Sequence, residues 1–308
     1  MKTAVMFSGQ GAQHPGMMRD IFEQYPTARG IFDKGSALLG KDIYELSMNA
    51  TQEELDRTEN TQPCLLTCEL AAFHVYQELG LPCDASLGFS LGEWTALAAA
   101  EAADEPDIIA FIAKRAAAMQ RAVPAGEGGM AAILGKDAQF VTELCQSIGD
   151  VYPSNYNCPG NITVSGTACA IDKVLEEAAV QEFMASKVAI SIPSHCPLML
   201  PAAEELHQAI QGLALREPQK QFVMNATGIS TRDIHIIREN LLKQLCQPVL
   251  FQQSIEYLLN KDYDTFVEIG PGKTLSGMVK RIVKNAGRQA SIFQFNSIEG
   301  IRKIKEFL

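Results

Sequence analysis

The chain has 308 residues, 47% of them apolar and 20% charged, enough for one large core and a smaller unit. A formal net charge of −10 argues against a general nucleic-acid binder, and no apolar run is long enough to cross a bilayer. The eight cysteines form no C-x-x-C pair and no zinc-spaced cluster, so no metal site is expected, and an N-terminus that turns glycine-rich early argues against an export signal and for the cytoplasm.

Residues 3–7 are apolar and alternate, the mark of a strand. The glycine-rich loop Ser8-Gly9-Gln10-Gly11-Ala12-Gln13 follows. It has neither the G-x-x-x-x-G-K-[ST] nor the G-x-G-x-x-G pattern, so it reads as a loop presenting a glutamine amide and backbone N–H groups, not as a phosphate cradle. Residues 17–39 are expected to be helical. Thr61-Gln62-Pro63 opens a second helix, with Thr61 as N-cap and Pro63 in the first turn. Its apolar face runs through Leu65, Leu66, Leu70, Phe73 and Tyr76, and His74 reads as a surface or hydrogen-bonded histidine.

An apolar approach at 85–89 then runs into Gly88-Phe89-Ser90-Leu91-Gly92, and an Ala- and Leu-rich helical stretch follows at 91–103. Strand, G-x-S-x-G turn and helix together make the context of a nucleophile elbow. A serine at so sharp a turn needs close-approaching neighbours without a Cβ, which Gly88 and Gly92 supply. Ser90 would stand at a helix N-terminus, where free N–H groups favour negative charge and the Leu91 N–H can donate to an oxyanion. A further helix from Glu105-Pro106 to Arg121 carries Lys114 and Arg115.

The pattern changes near Pro124-Ala125-Gly126-Glu127-Gly128-Gly129. Strands at 130–134, 152–157, 162–165 and 183–192 alternate with helices at 138–148 and 170–179. This β-α-β-β-α-β order is ferredoxin-like. It reads as a small domain, 126–192, inserted into a large α/β domain made of 1–125 and 193–308. The chain returns through Pro193-Ser194-His195-Cys196-Pro197, a short loop at an element boundary, where catalytic groups are common. Of the five histidines, His195 has the best context for a general base; adjacent residues usually point apart, which speaks against a Cys196/His195 pair. Strands at 222–225, 265–269 and 291–295 alternate with helices at 234–245, 250–259 and from 274, which implies a mainly parallel sheet covered on both faces. A free serine is a poor nucleophile near neutral pH, and His195 can supply the base. Whether an acidic side chain or a backbone carbonyl orients that imidazole stays open on these residues.

Five blocks, Phe7-Ser8-Gly9-Gln10-Gly11-Ala12-Gln13, Thr61-Gln62-Pro63, Gly88-Phe89-Ser90-Leu91-Gly92-Glu93, Pro193-Ser194-His195-Cys196 and Glu268-Ile269-Gly270-Pro271-Gly272-Lys273, resemble in order and spacing the malonyl-CoA:acyl-carrier-protein transacylase family. The resemblance spans nearly the whole chain. It implies a hydrolase-like α/β fold with a ferredoxin-like insert, and a ping-pong malonyl transfer that feeds fatty-acid synthesis. Ser90 would be the nucleophile and His195 its base, with the N–H groups of Leu91 and Gln10 holding the oxyanion. Arg115 would grip the free carboxylate of the acyl group through two parallel hydrogen bonds. Gln62 would be a pocket residue and Asn157 an acyl-pocket edge. Phe89 stands where the family usually has histidine, and Leu250 where it often has glutamine; the main-chain carbonyl of Leu250 would orient His195.

The implied partners are malonyl-CoA, as substrate, and an acyl carrier protein. Lys114, Arg121, Lys273, Lys280, Arg281 and Lys284 are candidates for a basic patch facing the acidic carrier. No permanently bound cofactor, nucleic acid or membrane is expected; a monomer is the default, and these residues leave the oligomeric state open. The competing readings are a stand-alone acyltransferase of a polyketide pathway, a serine hydrolase or thioesterase, and a binding module with an idle site.

Overall fold

The first segment of the chain runs from β1 (Thr3–Phe7) through α1 (Arg19–Gln24), α2 (Pro26–Leu39), α3 (Ile43–Asn49), α4 (Gln52–Asp56) and α5 (Thr58–Glu78) to β2 (Ala85–Gly88), α6 (Gly92–Ala99) and α7 (Glu105–Ala122). The second holds β3 (Gly128–Leu134), α8 (Ala138–Ile148), β4 (Val151–Cys158), β5 (Asn161–Thr167), α9 (Ala168–Val180) and β6 (Met184–Lys187). The third runs through α10 (Leu200–Gln211), β7 (Gln221–Val223), α11 (Ile234–Lys243), α12 (Phe251–Leu259), β8 (Thr265–Ile269), α13 (Thr274–Asn285), β9 (Ser291–Phe295) and α14 (Ile298–Phe307). This computed structural model describes residues 1–124, 126–190 and 192–307. Ala125, Ser191 and Leu308 lie outside the described residues, and with them one junction residue and the chain end of the two-domain reading and one residue of the strand expected at 183–192.

Two sheets organise the molecule. The large one has the order β7-β2-β1-β8-β9 and every pairing in it is parallel. Its central strands are buried along their length because helices cover both faces. Along β1, Val5 and Phe7 belong to the core under α5, while Ala4 and Met6 belong to the core under α12 and α13. The small sheet has the order β4-β5-β3-β6, all antiparallel, which is the ferredoxin-like arrangement. The small sheet is tied to the large unit at the segment before α12, where Tyr156 donates to the Val249 carbonyl and Val249 donates back to the Ser154 carbonyl, each at 2.9 Å.

Parallel strands bring all their C-terminal ends to one edge. The loops after β1, β2 and β7 therefore converge, and these carry Gln10, Ser90 and Asn225.

Four local expectations are corrected. The helix expected over 17–39 is two helices, broken at Tyr25, an extended residue held before Pro26. Thr61 is not an N-cap, because α5 starts at Thr58 and carries Pro63 inside it. Proline has no N–H to offer the carbonyl four residues back, and the Lys41 ammonium takes that Glu59 carbonyl at 2.8 Å. The elbow helix ends at Ala99 and not near 103: Glu101 turns left-handed, and the Ala102 and Glu101 N–H groups close on the Leu97 and Ala98 carbonyls. A glutamate in that conformation leaves no glycine signal to read. The strand expected over 183–192 is short, Met184–Lys187.

Candidate active site

Ser90 sits at the turn between β2 and α6 with φ 55°, a left-handed conformation that costs a non-glycine residue about 1–3 kcal/mol. The surroundings enforce it. A Cβ on Gly88 would lie 1.9 Å from the Gly92 carbonyl carbon, and one on Gly92 would lie 2.3 Å from the Phe7 oxygen. Asn225, at the end of β7, holds the turn from below: its Oδ1 accepts the Ser90 N–H at 2.8 Å and its amide donates to the Gly88 carbonyl at 2.6 Å. His195 is also left-handed, with φ 62°, and it is buried.

The two side chains meet. His195 Nε2 lies 2.7 Å from Ser90 Oγ, and His195 Nδ1 lies 2.6 Å from the Gln244 carbonyl. A carbonyl only accepts, so Nδ1 carries the proton and Nε2 is the acceptor of the serine O–H. Burial, aided by the positive charge of Arg115 and opposed by the Gln244 hydrogen bond, holds the imidazole down at about 4, well below its ordinary 6.5. The ring is therefore neutral near pH 7, as a base must be.

Arg115 projects from α7 into the same place and is 1% exposed. Its Nη1 donates to Gln62 Oε1 at 2.7 Å, and its Nη2 donates to Gln244 Oε1 at 3.0 Å and approaches Ser90 Oγ at 3.5 Å. Its Nε has no protein partner among the described residues. Burial lowers its pKa to about 10, opposed by Glu93, so it stays a cation near neutrality.

Behind it, Gln244 Nε2 donates to the Ser90 carbonyl at 2.7 Å and to Glu93 Oε2 at 2.6 Å. Glu93 Oε1 accepts the Asn225 N–H at 2.6 Å. Burial pushes the Glu93 carboxyl up to about 7, while its two hydrogen bonds and Arg115 pull it down.

Leu91 and Gln10 border the site as well. Neither N–H has a protein acceptor among the described residues, and both residues line the cavity in front of Ser90. The Gln10 side chain turns away to Thr58 Oγ1 at 3.3 Å. The cavity holds about 160 Å³ and is walled by Phe89, Met119 and Met278 from the large sheet's side and by Met130, Asn157 and Val188 from the small sheet's side. Asn157 donates to Asn161 Oδ1 and Thr163 Oγ1, each at 3.0 Å, and its own Oδ1 is buried without a partner among the described residues. Among those residues no group of three His, Cys, Asp or Glu could hold a metal ion.

The sequence matches the acyl transferase domain family over residues 5–296. It is 38% identical to the malonyl CoA-acyl carrier protein transacylase of Bacillus subtilis (strain 168), over 91% of this chain and 90% of that one. The solved malonyl CoA-acyl carrier protein transacylase of Coxiella burnetii superimposes with a TM-score of 0.94 at 35% identity, covering 99% of this chain and 97% of that chain. The chain belongs to the malonyl CoA-acyl carrier protein transacylase family. A malonyl-transacylase solved in complex with a type II polyketide acyl-carrier protein covers 100% of both chains with a TM-score of 0.96 at 32% identity.

In this member of the transacylase family the expected orienting group is displaced. Leu250 is the N-cap of α12, and its carbonyl is consumed by the Ser254 N–H at 2.9 Å and the Ser254 hydroxyl at 2.8 Å. Gln244 is the C-cap of α11, where carbonyls lack helical partners, and one of them is left to face His195. The orienting carbonyl is that of Gln244, not Leu250. No acidic side chain completes a triad among the described contacts of His195.

Ser90, His195, Arg115, Gln10, Leu91 and Asn157 all border the one cavity, and Gln62 stands behind Arg115. The residues missed from sequence are Gln244, Asn225 and Glu93 as a network. Glu93 offered a signal, a carboxylate in an otherwise apolar helix. Gln244 and Asn225 act through tertiary contacts that no spacing reveals.

Proposed function

We propose that this chain moves the malonyl group from malonyl-CoA to the phosphopantetheine thiol of an acyl carrier protein, feeding fatty-acid synthesis. The observation that supports it best is one nucleophile shared between a base and a cation: Ser90 Oγ lies 2.7 Å from His195 Nε2 and 3.5 Å from Arg115 Nη2. The two carboxyl carbons of malonate are separated by two C–C bonds of about 1.5 Å each. A guanidinium that close to the nucleophile therefore suits an acyl group whose second carboxylate is two bonds from the reacting carbonyl.

In the first half-reaction Ser90 Oγ attacks the thioester carbon while His195 Nε2 takes its proton. The N–H groups of Leu91 and Gln10 hold the oxygen that becomes negative. The C–S bond breaks, and the imidazolium returns the proton to the leaving CoA sulfur. The carrier thiol then reverses these steps, giving its proton to His195, attacking the malonyl-serine ester and returning Ser90 to its free form. Arg115 holds the distal carboxylate throughout, so binding energy also orients the reacting carbonyl. We assign these steps to residues 1–125 with 193–308, and treat 126–192 as an inserted unit that closes the acyl pocket. The eight free cysteines agree with work in the cytoplasm, where thiols stay reduced.

Intact-mass measurement after mixing with malonyl-, methylmalonyl- or acetyl-CoA tests the reading. A gain of one malonyl group, lost in Ser90→Ala, is expected. Slow loss of that adduct to water and a large acceleration on adding carrier thiol separate a transferase from a hydrolase; equal rates with and without carrier would favour the hydrolase. The polyketide neighbour favours a second reading for the acceptor. Comparing kcat/KM for fatty-acid and polyketide carriers decides between the two pathways.

Lys280 and Arg281 are exposed on α13, the helix that sends Met278 into the cavity wall. Reversing both charges is expected to raise KM for the carrier several-fold at low salt and to leave KM for malonyl-CoA unchanged. An unchanged carrier KM would remove this face as the docking site. Arg121 is a weaker candidate, since it already pairs with Glu205.

A further inference from the structure

Glu69 lies in the middle of α5, fully buried, and plays no part in the steps above. Its Oε1 accepts the Ser8 hydroxyl at 2.7 Å, and its Oε2 accepts the Thr95 hydroxyl at 2.7 Å. Ser8 opens the loop after β1, two residues before Gln10. Thr95 is in α6, the elbow helix that Leu91 caps. One rigid, planar group thus joins the two segments whose N–H groups face the developing oxyanion. Two further contacts keep the joint tight. A Cβ on Gly9 would lie 2.6 Å from the Phe89 oxygen, so the loop and the elbow touch through their backbones. Gly270, at the end of β8 with φ +141°, presses on the bridge, since a Cβ there would lie 2.4 Å from Ser8 Oγ and 3.0 Å from Glu69 Oε1.

We propose that Glu69 is a positioning residue for acyl transfer: its carboxyl fixes the spacing between the Gln10 loop and the elbow helix, and so the span of the oxyanion hole. The inference rests on the acyl-transfer reading of the site. Glu268 from β8 and the Cys68 thiol from its own helix are the titratable groups that face it, and neither is a cation. Burial pushes the Glu69 carboxyl up to about 8, against the Ser8 and Thr95 hydrogen bonds and with help from Glu268. An amide is the nearest isostere of this carboxyl. An apolar side chain would fill the same space without a desolvation penalty. What the carboxyl supplies instead is a set distance between two hydroxyls.

The experiment compares Glu69→Gln, Glu69→Leu, Thr95→Val and Ser8→Ala in malonyl transfer, with active sites counted by the malonyl-serine burst. Glu69→Gln is expected to keep kcat within about threefold, since its amide can accept from one hydroxyl and donate to the other. Glu69→Leu is expected to lower kcat per active site by about 10–100-fold, less than loss of an oxyanion donor, with KM for malonyl-CoA little changed because Arg115 is untouched. Thr95→Val and Ser8→Ala each remove one end of the bridge and should lower kcat several-fold, which keeps the test alive if Glu69→Leu does not fold. Wild-type kcat per active site in both single-end variants would overturn the proposal, as would equal losses in Glu69→Gln and Glu69→Leu. A wild-type enzyme that forms no malonyl-serine would instead sink the acyl-transfer reading.

Discussion

Alanine at either Ser90 or His195 is expected to lower kcat for malonyl transfer by about 10⁴–10⁶, and the double variant should be no worse than the poorer single one. The two residues share one proton across 2.7 Å, so removing either disables the same step. Single-turnover transfer from malonyl-CoA to carrier protein measures it; losses that multiply would mean the two side chains act independently. The acid limb carries a second expectation. Because burial holds His195 down at about 4, its imidazole remains a competent base well below its ordinary pKa. The kcat/KM for malonyl-CoA should hold level to about pH 5 and fall below that. A fall centred near the ordinary histidine value would show that the site is wetter than its geometry implies.

Arg115→Ala should lower kcat/KM for malonyl-CoA by about 10³–10⁴ and that for acetyl-CoA by less than about tenfold. A buried guanidinium holds two donors toward Gln62 and Gln244 and keeps others for a carboxylate. An acetyl group leaves those donors unmatched, which is why the intact site should reject it. The same substitution removes a cation that pulls the Glu93 pKa down, so Glu93 should bind its proton more tightly. Arg115→Lys is expected to recover little, since an ammonium cannot span Gln62, Gln244 and a carboxylate at once. Parallel losses with both acyl groups would end the clamp assignment.

Much of this is legible in the sequence. The strands Thr3–Phe7, Thr265–Ile269 and Ser291–Phe295 and the helix Ala138–Ile148 follow apolar alternation and capping to the residue. Ser90, His195 and Arg115 could be singled out, on the elbow pattern for the first and on loop context and family resemblance for the others. The start of α5 was hidden because Arg57 caps it without a side-chain hydrogen bond, and because Pro63 mimics a first turn. Gln244 was hidden for a different reason. Its carbonyl serves His195 and its amide serves Arg115, Ser90 and Glu93. A helix end acquires such duties only once four distant segments have packed around it.

The order of the large sheet has a consequence for how the chain comes off the ribosome. Its central strands, β1 and β2, are synthesised first, yet their outer neighbours β7 and β8 come only after the whole ferredoxin-like insert. Until then the nascent chain bears a two-stranded ribbon with both edges open and with no imidazole beside its serine, an aggregation-prone and inert intermediate. A fragment ending at the insert lacks His195 and the strands β7 and β8, and it should be both poorly soluble and unable to capture an acyl group.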